Sequence, residues 1–277
     1  MTEDTSRPTP YADAARIFQS TARYYARYRL PHPAVLTDHI VSLAREHTAA
    51  PRMADLGCGT GLVSLELAAR GVDVIAVDAN PAMLAEGRKA AAERGLLIDW
   101  REGTGENIAA MPGTDGISGA VIADAFHWMD RPQVLHQLDQ VVAPGGFVAV
   151  LVSRAANTER PWWWEVIARV RARFVGEVPA AGVGQEYKPP QADHETVLRH
   201  SPFSRVAVTR AEHTVRYTTD ELVAVQFTYA FSSPDLLGDR CEEFSQAVRA
   251  ALLAVEPSGR FEATATAALI LGWRAHG

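Results

Sequence analysis

Cysteine is scarce in this chain. Cys58 and Cys241 are the only two, too few for a disulfide framework, which points to a reducing, cytoplasmic setting. No apolar run approaches the ~20 residues that a spanning helix needs, so no membrane contact is expected. Residues 1–10 are polar and acidic and have no apolar core of the kind a secretory leader carries; residues 1–12 are expected to be a disordered tail. Lysine is nearly absent too, at Lys89 and Lys188 only, and with a net charge of −6 no basic face is evident. Nucleic acid is therefore not an expected partner. The nine histidines fall in no metal-ligand spacing, and neither H-x-x-x-H nor C-x-x-C occurs, so no metal is expected. No internal repeat is visible.

What is present is a globular composition. Of 277 residues, 47% are hydrophobic and 22% charged, which suits one sizeable domain or one domain with a lid. Residues 13–28 and 34–47 read as helices separated by Leu30-Pro31-His32-Pro33. Strands are expected at 53–56, 72–78, 97–101, 117–123 and 147–152, with helices between them near 62–70, 81–94 and 132–142. Repeated βα units over 50–153 predict a doubly wound parallel sheet. Farther on, a helix is expected over 160–175, a Gly-, Pro- and Ala-rich loop over 176–192, and short strands at 206–208 and 213–217. Helices near 219–231 and 239–255 and a last strand over 261–274 complete the reading.

The strongest local signal is Asp55-Leu56-Gly57-Cys58-Gly59-Thr60-Gly61, followed by a strand ending in Asp78. Alternate glycines let a backbone approach a ligand where a Cβ would clash. The helix after them offers unpaired N–H groups to an anion. Asp78 is placed to accept from two neighbouring ribose hydroxyls. The spacing is G-x-G-x-G, with Leu62 where a dinucleotide-binding turn has its third glycine. Asp55 would repel a pyrophosphate but suits an ammonium group. Ribose plus amino acid points to S-adenosylmethionine (SAM).

These residues resemble the first motif of the class I SAM-dependent methyltransferases, and Asp78-Ala79-Asn80-Pro81-Ala82-Met83-Leu84 is similar to their second. The resemblance implies a seven-stranded, mostly parallel Rossmann-like sheet whose last strand is antiparallel, with an N-terminal helical lid and a cap after the fifth strand. It divides the chain into a SAM-binding core with its lid at 13–153, a cap or acceptor region at 154–203, and the rest of the sheet with further cap helices at 204–277. It assigns the cofactor to Tyr28, Arg29, Asp55, Gly57, Cys58, Gly59, Asp78, Ala79, Met83, Thr104, Gly105, Glu106 and Ala123. Thr104 stands where the family usually has an aspartate facing adenine; Met83 packs on adenine or belongs to the core. Ala123-Asp124-Ala125-Phe126-His127-Trp128 resembles the family's segment after the fourth strand.

The acceptor side is assigned to Tyr25, His127, Trp128, Trp163 and Trp164. His127 is a candidate general base, with packing as the preferred alternative. Three consecutive tryptophans, Trp162 to Trp164, cannot all face one core, because helical neighbours diverge by ~100°. One of them faces a pocket, or the group makes a helix–helix contact. The activity implied is methyl transfer to an O, N or C nucleophile of a small molecule, with a specialised metabolite as the expected acceptor, leaving S-adenosylhomocysteine, in a monomer or homodimer. Two alternatives stay open: an enzyme using the sulfonium only as positive charge for cyclisation or decarboxylation, and a non-catalytic SAM-binding regulator.

Overall fold

A computed structural model describes residues 14–155, 158–177, 180–183, 186–187 and 191–275. The expected tail at 1–12 lies outside them, as does part of the loop expected at 176–192. The lid segment is broken into α1 (Ala14–Ile17), a tight turn and α2 (Ala22–Tyr28), then α3 (Ala34–His47). The core runs β1 (Arg52–Leu56), α4 (Leu62–Ala69), β2 (Asp73–Asp78), α5 (Pro81–Glu93), β3 (Asp99–Glu102), β4 (Ile117–Ala123), α6 (Arg131–Val141) and β5 (Val142–Val152). The remainder is α7 (Trp163–Val175), α8 (His194–Arg199), β6 (Arg205–Thr218), α9 (Thr219–Gln226), α10 (Pro234–Leu237), α11 (Cys241–Val255) and β7 (Arg260–Trp273).

One seven-stranded sheet has the order β3-β2-β1-β4-β5-β7-β6. β1 to β5 are mutually parallel, and β7 runs antiparallel to both neighbours. This is the expected topology. The central strands are apolar on both faces because helices cover both. One core lies between the sheet and α3 and α4 and includes Leu36, Ile40, Val74 and Phe147. The other, including Ile75, Ile122, Leu138 and Phe203, lies under α6 and α8. The strand order reverses between β1 and β4, so a crevice opens at their carboxyl ends.

Two short strands expected at 206–208 and 213–217 are one strand. β6 pairs with β7 without interruption from Arg205↔Trp273 to Thr218↔Arg260. β5 stops at Val152↔Ala268, so the far half of the β6–β7 ribbon projects past the sheet on the crevice side. A third core gathers on it: Val215 and Phe261 of the ribbon, Trp163 and Ile167 of α7, Leu222 of α9, and Phe244 and Val248 of α11. The ribbon is thus the stem of a helical cap. α8, from the segment expected to belong to the cap, packs instead on the sheet, through Leu198.

Candidate active site

The glycine turn joins β1 to α4, and its three glycines do different work. A Cβ on Gly57 would lie 2.6 Å from the Ala125 Cβ and 2.9 Å from Met129 Cε. A Cβ on Gly61 would run into the Trp100 indole. At those two positions a Cβ would meet the protein's own side chains. At Gly59 a Cβ would meet nothing within 4 Å, and φ is +55°. That face of the turn is the open one.

Asp78 fixes the turn. Its Oδ2 accepts from the Gly59 N–H at 2.8 Å, and its Oδ1 accepts from the Asn80 N–H at 2.8 Å. Asn80 in turn caps α5, its side chain accepting from the Ala82 and Met83 amides at 2.9 and 3.2 Å, with Pro81 in the first turn. Burial raises the Asp78 pKa despite those two amides. Each carboxylate oxygen still has a lone pair to offer a hydroxyl. Ala79 lies between them in the chain, and Met83 is buried beneath the first turn of α5.

Asp55 is buried at the end of β1. The Ser64 hydroxyl donates to its Oδ2 at 2.5 Å, while Oδ1 is buried with no hydrogen-bond partner. Burial, with a smaller contribution from the Asp78 charge, pushes its pKa up to about 7. Thr60 also buries an unpartnered hydroxyl. Cys58 is buried, and its thiol is pushed well above its ordinary range by burial first and by the two carboxylates next; it is no nucleophile. Native proteins rarely leave buried polar atoms unpaired. An orphaned carboxylate oxygen and an open glycine face fit a ligand with an ammonium group.

From the lid, Tyr25 and Arg29 share one face of α2 and its end. The Arg29 guanidinium lies 5.0 Å from the Tyr25 ring centroid and 4.4 Å from that of Tyr229, and its Nε is buried without a partner. Burial raises the Tyr25 pKa; Arg29 opposes this, and the charges of Asp124 and Asp78 add to it. The charges of both carboxylates thus reach the Tyr25 hydroxyl. Tyr28 points elsewhere: it stacks on Tyr24 at 6.5 Å and packs on the cap core.

Ala123 ends β4, opposite Leu151. Past it, Asp124 has φ +48° and accepts from the Ser153 N–H at 2.9 Å and from the Ser153 hydroxyl. His32 Nε2 lies 3.7 Å from Asp124 Oδ2. Burial lowers the His32 pKa more than Asp124 raises it. Asp124 and His32 were absent from the sequence-derived site. The usable signal was an acidic residue directly after a central strand; no pattern marked His32. Phe126 is buried in the core and anchors the next turn. Beside it the His127 ring lies 5.1 Å from Trp128 and 6.3 Å from both Tyr187 and His194. Burial lowers the His127 pKa, outweighing Asp124. His194 is pushed to about 4 by burial, then by repulsion from His127 and Arg131.

Of the third loop, Gly105 is buried against Leu56, and Thr104 precedes it without capping it. Glu106 is buried and accepts from the Asp130 N–H at 2.9 Å, tying this loop to the start of α6. Trp163 sits in the cap core, 5.8 Å from Phe261. Trp164 faces away from it, 5.7 Å from Tyr229. Among the described residues no cluster of three or more His, Cys, Asp or Glu could hold a metal. Nor is any described helix long and apolar enough to cross a membrane.

Comparison with known proteins agrees with this geometry. Residues 53–146, from β1 to the start of β5, match the model of the methyltransferase domain. The chain is 28% identical over 224 residues to the uncharacterized methyltransferase Rv3342 of Mycobacterium tuberculosis, covering 80% of this chain and 81% of that protein. It is 40% identical over 115 residues to the demethylmenaquinone methyltransferase of Thermus thermophilus, covering 40% of this chain and 50% of that one. The YcgJ protein of Bacillus subtilis shares the fold, with a TM-score of 0.53 at 15% identity, over 88% of this chain and all of that one. Over residues 53–146 the chain carries a methyltransferase domain.

Proposed function

We propose that this protein is a methyltransferase that moves the methyl group of SAM to an O, N or C nucleophile of a small molecule, a specialised metabolite. The observation that carries the reading is the Asp78 carboxylate spanning the open face of Gly59 while Asp55 Oδ1 stands unpaired one strand away. In this reading Asp78 accepts the ribose hydroxyls with its remaining lone pairs. Asp55 takes the ammonium group, which restores its ordinary ionised state. Arg29 and Tyr25 take the carboxylate, Tyr25 replacing Tyr28 in that role. Met83 and Gly105 border the adenine, with the Thr104 hydroxyl as its polar contact.

Bound SAM supplies a methyl already activated by a sulfonium. The chain's task is then alignment of the acceptor and exclusion of water. The ribbon-borne cap and the lid helices do the excluding. Neutral His127, with Trp128, Tyr187 and His194, forms an aromatic wall at the carboxyl end of β4, where an acceptor approaches.

The test is label transfer. The protein is incubated with methyl-labelled SAM and a panel of small phenols, amines and carbon acids, and products are resolved chromatographically. Stoichiometric label in an acceptor, with S-adenosylhomocysteine formed in equal amount, supports the reading. Acceptor turnover with SAM unconsumed favours use of the sulfonium as a fixed charge. SAM binding with no conversion of any kind favours a regulator.

A further inference from the structure

One aromatic cluster lies at the edge of the cap core, against which its Tyr229 packs. Tyr229 and Phe231 stack at 4.9 Å with planes 10° apart, and Trp164 stands edge-on to both at 5.7 and 6.3 Å. Two arginines close on these rings. The Arg171 guanidinium carbon lies 4.4 Å from the Phe231 centroid and 5.6 Å from that of Trp164; the Arg160 carbon lies 4.6 Å from Trp164. All three rings are partly open to solvent, unlike Trp163 in the cap core.

The chain pairs its structural arginines with carboxylates: Arg70 with Asp38 and Glu66, Arg101 with Asp99, Arg274 with Asp139. Neither Arg160 nor Arg171 has such a partner among the described residues, and Arg171 Nη1 is buried with no hydrogen-bond acceptor. Ring faces satisfy part of a guanidinium's charge but none of its five in-plane N–H donors. Burial and mutual repulsion both work against the Arg171 charge. The cluster also reaches the cofactor side: Arg29 lies on the Tyr229 ring and on Tyr25.

We propose that Trp164, Tyr229, Phe231, Arg160 and Arg171 form the acceptor site for a flat ring compound bearing an anionic group, a carboxylate above all. The rings stack on its body, and Arg171, with Arg160 outside it, takes the anion by charge-assisted hydrogen bonds. This rests on the methyl-transfer reading for its role, but the binding test does not. The probes are 2-naphthoate and its neutral isostere 2-naphthamide, titrated calorimetrically into the full chain with and without S-adenosylhomocysteine; S-adenosylhomocysteine is titrated separately. Naphthoate is expected to bind about tenfold or more tighter than the amide. R171Q should bring the two probes to equal affinity and leave S-adenosylhomocysteine affinity unchanged, with R171K restoring part of the preference. R160Q, at an exposed side chain, should narrow the preference about threefold and serves if R171Q does not fold. Equal binding of both probes by the wild type overturns the proposal, as does a preference that survives R171Q, or R160Q where R171Q does not fold. Loss of S-adenosylhomocysteine binding alone counts against the methyl-transfer reading and not against the anion site.

Discussion

Asp55 is a buried carboxyl whose ionisation opposes the stability of the fold. Its carboxyl holds a proton up to about 7 against an ordinary value of 3.8. Between those values the native state binds more protons than the unfolded chain, so stability falls as pH rises through that window and levels off above it. Asp55→Asn keeps an acceptor for Ser64 and removes the charge. The variant is expected to exceed the wild type by about 2–4 kcal/mol at pH 8, with the difference vanishing near pH 4; urea unfolding at both pH values checks this. SAM affinity should follow the opposite logic. It should rise toward pH 7 as Asp55 ionises and fall above about 8 as the ligand's own α-amino group loses its proton.

His127 belongs to the same scale. Its ring is packed among aromatic and histidine rings, and burial keeps it neutral at pH 7. His127→Gln is expected to lower the melting temperature and to cost less than about tenfold in turnover, with SAM affinity intact. A loss of about 10²–10⁴-fold at normal melting temperature is the signature of a general base and would reverse this assignment.

At the scale of elements, the glycine turn separates two demands. Gly57→Ala forces a Cβ into Ala125 and Met129 and is expected to destabilise the fold by about 3 kcal/mol. Gly59→Ala costs only the left-handed backbone, about 1–2 kcal/mol, yet places a methyl on the open face. It should weaken SAM binding more than it weakens the fold; chemical denaturation beside calorimetry distinguishes the two. In the cap, Trp163→Ala opens a cavity in the third core and should cost about 3–5 kcal/mol, whereas Trp164→Ala should leave stability within about 1 kcal/mol.

These contrasts also mark how far sequence alone reached. Strands with near-neighbour partners, caps such as Asn80-Pro81, and the Asp55 and Asp78 carboxylates were legible because local periodicity and turn chemistry fix them. The separate duties of Gly57 and Gly61 were not, because Trp100 lies on β3 and Ala125 just past the end of β4, both distant in sequence. The β6–β7 ribbon was read as fragments because polar residues near Thr209 to Glu212 interrupt the apolar pattern of an edge strand. Tyr28 was assigned to the cofactor and Tyr25 to the acceptor because the ~60° that separates them around the helix cannot be resolved without knowing which face meets the crevice. Arg171, Tyr229 and Phe231 carry no motif; they meet only because the ribbon brings α7 and the segment after α9 together.

At the scale of the whole molecule, the sheet supplies a rigid crevice, the lid supplies Tyr25 and Arg29, and the ribbon carries a cap whose core is separate from the sheet's. Asp78 links the glycine turn to the start of α5, and its charge reaches Tyr25 of the N-terminal segment. The most direct measurement is calorimetric titration of SAM into the wild type and Asp78→Ala, with NAD as control ligand. The account predicts wild-type binding of SAM and S-adenosylhomocysteine, a loss of about 1.5–3 kcal/mol in the variant from missing charge-assisted hydrogen bonds, and no NAD binding in either. Tight NAD binding without SAM binding, or SAM affinity unchanged in a folded Asp78→Ala protein, would contradict it.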